Sequence, residues 1–262
     1  MSNNNHEFID IMEKLLSDYA STCNVDFFDG QIIVSENMQE SYLDLRKDLV
    51  EEGKINISNL DKYHGLTVQP SSADGLFTIL LNKKYILESI AKNNVDWIGT
   101  LIHEAVHVND FKLYFNLVEP NSYDELYDYN LHRMFLYWTE FHARAIGHYF
   151  LRKYALEDFK STVHLDNLLN TELPFQINYM VTQMNTTEDP DSQMYTVVHF
   201  LGRLAVWQYL YPNTFNATFI SEMLNSNPWM EELDYLLINY KTLEEIYPHF
   251  NEIEAILDSY FS

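Results

Sequence analysis

The stretch WIGTLIHEAVHVNDF, residues 97–111, is the most informative in the chain. Ile98, Leu101, Ile102, Ala105 and Val108 recur at the spacing of one helix face, so the segment reads as a helix lying against a core. His103 and His107 stand four residues apart, which on a helix is about 40° around the axis, and both imidazoles can then reach one ion. Glu104 projects beside that ion without binding it, placed to take a proton from metal-bound water, while Ala105 and Val106 turn away and pack. A divalent metal with nitrogen ligands is implied, zinc first among them. The competing reading is a pair of partly buried histidines satisfied by carboxylates of neighbouring helices.

Working outward toward the start of the chain, Ile9, Met12, Leu15, Leu16 and Tyr19 mark a helix over residues 6–20. Asp29-Gly30 between VDFF and QIIV predicts a hairpin over Val25 to Val34. Met38, Tyr42, Leu45 and Leu49 predict a helix over 36–51 that Gly53 ends. Leu66–Val68, QPSSADG and Leu76–Leu81 read as strand, loop and strand, followed by a helix of about ten residues from Lys83. Asp96 is expected to cap the motif helix, and Pro120 forbids its continuation. Beyond residue 122 the spacing is helical throughout, with breaks near Pro174, Asp189-Pro190, Tyr211-Pro212 and Asn227-Pro228. The expected class is therefore α+β and mostly helical, with an α/β lobe over 1–120 and an all-α lobe over 121–262. These lobes can form one compact domain with a cleft between them.

Composition narrows the function. The 262 residues include 47% hydrophobic and 15% aromatic side chains, enough for a sizeable core. Thirty-nine acidic residues against sixteen basic ones give a net charge of −23. That charge repels nucleic-acid phosphates and anionic membranes alike, so neither is an expected partner. One cysteine, Cys23, cannot make an internal disulfide and reads as packed. Neither a secretory leader nor an apolar run of membrane-spanning length is recognised, which makes the expected location cytoplasmic. Tyr123, Tyr127, Phe135, Tyr137, Trp138, Trp207 and Tyr211 read as core and lobe-interface aromatics.

Thr100, Leu101 and Val108 around HEAVH, the uncharged positions inside it and the β-rich segment before it resemble the zincin metallopeptidases over about the middle third of the chain. Asn109 departs from the pattern, because zincins usually carry an apolar residue there. The resemblance implies zinc-dependent hydrolysis of a peptide or protein substrate. It also implies a small mixed sheet lying on the motif helix, with an edge strand that binds extended peptide, a place assigned to Leu76–Leu81.

Zinc takes a third protein ligand and leaves its fourth position to water. The metzincin places for a glycine and a ligand hold Asp110 and Leu113, and the thermolysin-like place for an acid holds Tyr127, so both arrangements fail. Gluzincin-like proteins take the ligand from a second helix, which here points to Glu140 in FLYWTEFHARAIGHYF, 33 residues after His107. Glu140 can instead pair with Arg144 or Arg133 on its own helix. Competing ligands are His142, His148, His132, Asp128, Glu125 and Asp110. His142 lies about 200° around the helix from Glu140, so the two cannot share an ion. Asp110 can alternatively orient an imidazole.

By the same resemblance, a downstream Tyr, His or Arg donates to the oxyanion, and Tyr195, His199 and Arg203 offer these at four-residue intervals. The plain alternative is that Tyr195 and His199 pack and that Arg203 pairs with a surface acid. The leading expectation is a gluzincin-like zinc metallopeptidase with His103, His107 and Glu140 as ligands and Glu104 as general base. The alternatives are a zincin-like metal-binding protein without hydrolysis that acts through protein partners, and a helical protein in which the motif is accidental.

Overall fold

The structure is a computed structural model that describes residues 3–225 and 227–261. The chain divides into two units, Met1–Asp128 and Tyr129–Ser262.

The first unit runs α1 (Asn3–Cys23), β1 (Gln31–Ser35), α2 (Met38–Glu51), β2 (Gly65–Val68), β3 (Thr78–Asn82), α3 (Lys83–Ala91) and α4 (Asp96–Val118). Its three strands form a mixed sheet in the order β1-β3-β2, with β1 parallel and β2 antiparallel to β3. Period-two alternation sorts the side chains. Leu66, Val68 and Leu80 pack with Met38, Tyr42 and Leu60 on the α2 side. Gly65 and Thr67 point the other way and meet α4.

The expected hairpin over 25–34 does not form. Residues 25–28 are not a strand, and QIIVS pairs in parallel with β3, starting from the Gln31 N–H to the Phe77 carbonyl at 2.9 Å. Gly30 serves a close approach here: a Cβ on it would stand 2.3 Å from the Phe77 oxygen. Asp29 is drawn off into a 2.6 Å ion pair with Lys112 on α4. The assignment of Leu76–Leu81 to a substrate edge is also corrected. Phe77, Ile79, Leu80 and Leu81 are buried and β3 is the central strand, so the antiparallel edge belongs to β2.

Asp96 sits in the first turn of α4 and does not cap it; Val95 is the cap residue. At the other end Glu119, at φ 50°, closes the helix before Pro120. On the α1 side of α4, the amide of Asn109 donates to the Tyr19 hydroxyl at 3.0 Å, which gives the residue that departs from the zincin pattern a structural task. Arg46, almost fully buried at a non-helical step in α2, donates to the Gln69 carbonyl and pairs with Asp48 and Asp124.

The second unit is helical throughout its described residues: α5 (His132–Ala155), α6 (Leu165–Asn167), α7 (Leu173–Thr186), α8 (Pro190–Leu210), α9 (Ala217–Leu224), α10 (Pro228–Asn239), α11 (Leu243–Ile246) and α12 (Phe250–Phe261). Pro190 and Pro228 begin helices, where a missing N–H costs nothing. Pro174 makes no break: a π-helical turn over Leu168–Glu172 runs into α7.

α5 and α8 lie side by side in the same direction. Arg133 meets Asp191, Tyr137 meets Tyr195, Glu140 meets His199 and His148 meets Trp207, in step along both helices. Gly202 makes the close contact possible, since a Cβ there would stand 2.7 Å from the Phe141 carbonyl oxygen and 2.9 Å from Arg144 Cβ. Phe135, Tyr137, Trp138, Trp207 and Tyr211 are buried in this unit and Tyr123 in the first, whereas Tyr127 is exposed. No helix among the described residues is long and apolar enough to cross a membrane.

Two stability predictions follow from these contacts. Gly202→Ala pushes its methyl group into backbone and should cost about 1–3 kcal/mol in denaturant unfolding, with helicity retained. Asp234 on α10 is buried, and desolvation pushes its carboxyl up to about 7, against a bond from Gln208 that pulls it down. A raised folded value means that its contribution is intact in acid and is lost as pH rises through about 7. Asp234→Asn should therefore stabilise the protein by about 1–3 kcal/mol at pH 8 and by little near pH 4, read as unfolding midpoints at the two pH values.

Candidate metal centre

Two successive turns of α4 bring chemistry into its buried part. His103, Glu104 and His107 are 8%, 6% and 7% exposed. The two imidazoles converge, with 3.0 Å between their Nε2 atoms and ring planes at 89°. Two nitrogens bound tetrahedrally at about 2.0–2.1 Å from one zinc ion would stand about 3.3 Å apart, so the pair needs only a small opening to grip such an ion.

Glu104 is held from the sheet. The Thr67 hydroxyl on β2 lies 2.9 Å from Glu104 Oε2 and 2.9 Å from the Glu104 carbonyl oxygen, placed to donate to either. Gly65, two residues earlier on the same strand face, leaves room for the carboxylate: a Cβ there would lie 3.0 Å from Glu104 Oε1 and 2.8 Å from Thr100 Cγ2. Close by, the Thr100 hydroxyl lies 3.5 Å from the Tyr85 hydroxyl, and Tyr85 stacks on His64 at 3.7 Å between ring centroids. The sequence reading missed Gly65, Thr67, His64 and Tyr85. The signal for the first two was the period-two alternation of Gly65–Val68, which puts them on one face.

In the second unit, Glu140 Oε2 accepts from His199 Nε2 at 2.7 Å. Burial first, and then the Arg144 guanidinium, hold His199 below the usual imidazole value although Glu140 pulls it upward. Neutral His199 thus serves as a donor to the carboxylate. Arg133 does not compete for Glu140, being paired with Asp191 at 2.7 Å. Tyr195 packs edge-on against Tyr137, and Arg203 Nη1 donates to the His199 carbonyl at 3.2 Å.

His103, His107 and Glu140 form a group that can hold a metal ion: each offers one ligand atom, and these atoms lie within 4.8 Å of one another. The other expected ligands join no such group among the described residues. His142 stacks on Trp138, and His148 lies edge-on to Trp207 with burial and then three arginines holding it neutral. His132 is buried and pushed down to about 4 by desolvation. Asp110 is buried near Tyr19, Glu125 accepts from the Asn121 backbone and amide, and Asp128 is exposed.

Compared with known proteins, the chain matches no family model, no curated protein and no solved structure. Its reading therefore stands on its own residues.

Removing the partner of a ligating carboxylate typically costs about 10–100-fold in metal affinity. His199→Ala should weaken metal binding by that factor in a chelator competition, while a control at a histidine outside this group, His249→Ala, leaves it unchanged.

Proposed function

We propose that this protein is a zincin-like zinc metallopeptidase in which His103, His107 and Glu140 hold the ion and Glu104 is the general base. The observation that carries the reading is the convergence of two imidazole nitrogens and one carboxylate oxygen, with a separately anchored glutamate between the two histidines. Two nitrogens and one oxygen leave a fourth position for water and suit zinc better than calcium or magnesium, which take oxygen ligands.

When bound, zinc would supply Lewis acidity, polarising the scissile carbonyl and making its water a nucleophile near neutral pH. Glu104 accepts the proton of the attacking water on Oε1 and returns it to the departing amine nitrogen. Thr67 holds Oε2 meanwhile, so the carboxylate does not rotate away. His199, bonded to Glu140, orients that ligand, and the oxyanion role suggested by the resemblance is assigned to Tyr195 on the preceding turn of α8. A cytoplasmic setting belongs to the same proposal and rests on the lone Cys23.

Elemental analysis of protein purified without chelators or added metal should find about one zinc per chain, and His107→Ala should lose it. Glu104→Gln should keep the metal and abolish cleavage of an unstructured peptide mixture followed by mass spectrometry. Zinc retained by His107→Ala, or cleavage retained by Glu104→Gln, would refute the assignment.

A further inference from the structure

Asn82 holds two aromatic rings together beside Glu104. Its backbone N–H donates to the His64 carbonyl at 2.9 Å, and its side-chain amide donates to the Tyr63 and Asp61 carbonyls at 3.2 Å each. The oxygen of the same side chain accepts from the Tyr85 N–H at 3.3 Å and so caps α3. One residue therefore ties the entry of β2 to the first turn of α3, and with them the backbones that carry His64 and Tyr85.

The two rings meet with centroids 3.7 Å apart and planes 3° from parallel. Aromatic pairs left to themselves prefer an offset or edge-on arrangement at about 4.5–7 Å. The face-to-face sandwich is thus imposed by the backbone frame. Tyr85 is the inner ring, half-buried, with its hydroxyl 3.5 Å from that of Thr100 on α4, while His64 is the outer ring and is exposed. With one face covered by Tyr85, the exposed area of His64 is its outer face and rim. What the stack presents to solvent is a flat, pre-organised plate.

This plate stands close to the general base. A Cβ on Gly65, the residue after His64, would lie 2.8 Å from Thr100 Cγ2 and 3.0 Å from Glu104 Oε1. One Cα–Cα step of about 3.8 Å separates Gly65 from His64, which keeps the His64 Cα within about 8 Å of that carboxylate oxygen. A peptide with its scissile bond at Glu104 advances about 3.3–3.6 Å per residue, so a side chain one or two residues from that bond can lie on the plate. A planar surface gives a branched aliphatic group few contacts, whereas another ring can cover it, and neither His64 nor Tyr85 offers a carboxylate to a basic side chain.

We propose that His64 and Tyr85 form a binding plate for an aromatic side chain of the peptide substrate, one or two residues from the scissile bond, with Asn82 as the residue that positions it. This rests on the metallopeptidase reading above and narrows its substrates to peptides with Phe, Tyr or Trp near the cleaved bond.

The test uses the full-length Glu104→Gln protein, which binds without cleaving, in equilibrium dialysis against four N-acetylated pentapeptide amides. Each is Ala-Ala-X-Ala-Ala, with phenylalanine, cyclohexylalanine, leucine or arginine at X. Cyclohexylalanine matches phenylalanine in bulk and apolar character but lacks the flat ring. The phenylalanine peptide should bind about two- to tenfold tighter than the cyclohexylalanine peptide, the gain typical of an aromatic pair beyond its buried area. Adding His64→Ala should erase that preference, and His64→Phe, which restores a ring, should keep it. Tyr85→Leu should also erase it and carries the test if the His64→Ala protein does not fold. In the wild-type digest of an unstructured peptide mixture, aromatic residues should be enriched within two positions of the cleaved bonds, and His64→Ala should lose that enrichment.

The plate is overturned by equal binding of the phenylalanine and cyclohexylalanine peptides, by tightest binding of the arginine peptide, or by no binding of any probe. A preference that survives in folded His64→Ala and Tyr85→Leu proteins, or that is lost in His64→Phe, overturns it as well. Failure of the metallopeptidase reading appears separately, as absent zinc or absent wild-type cleavage, and the dialysis decides the plate in either case because binding needs no turnover.

Discussion

Burial of a polar helix face is the constraint on which the first unit depends. His103, Glu104, His107 and Asp110 are all less than 9% exposed on α4, and each would carry a heavy desolvation cost without partners. The sheet meets part of that demand. Thr67 supplies a hydroxyl to Glu104, Gly65 gives the carboxylate room, and Leu66 and Val68 between and beside them bury their side chains on the opposite face. A register slip of one residue in β2 would present leucine and valine to Glu104 and expose threonine to the α2 core. The pairing of Thr67 with Ile79 and Leu66 with Leu80 is therefore as much a part of the geometry around Glu104 as of the fold.

The second unit solves a related problem with two helices running in the same direction. Parallel neighbours need a long connection, and the α6–α7 segment provides it. What the arrangement achieves is repetition: turns of α5 meet turns of α8 in step, so the pairs Arg133 and Asp191, Tyr137 and Tyr195, Glu140 and His199, and His148 and Trp207 follow one another along a single seam. Gly202 is what lets the helices close on Phe141 and Arg144. Its missing side chain sets the spacing at which Glu140 reaches His199.

Charge works at two ranges in this molecule. The net charge of −23 is a property of the surface and bears on which partners approach. Inside the helix seam the local balance is reversed, with cations collected around neutral His148 and His199.

How much of this was legible depends on how far apart in the chain the cooperating residues lie. His103, Glu104 and His107 were readable because helical spacing alone puts them on one side of α4. The helical second half was readable because its apolar positions repeat every three or four residues. Glu140 was singled out by the gluzincin resemblance, which takes a third ligand from a second helix, and helical spacing by itself left the other acids and histidines of that segment open. The hairpin at Asp29-Gly30 was misread because a turn signal is local, whereas β1 takes its partner from β3 some 47 residues on, across the pairing of Gln31 with Thr78. Thr67, Gly65 and the bond from His199 to Glu140 were invisible for the same reason. Periodicity tells which face of an element is apolar; which polar group waits on the other side is settled when strand register and helix pairing bring distant segments within hydrogen-bond reach.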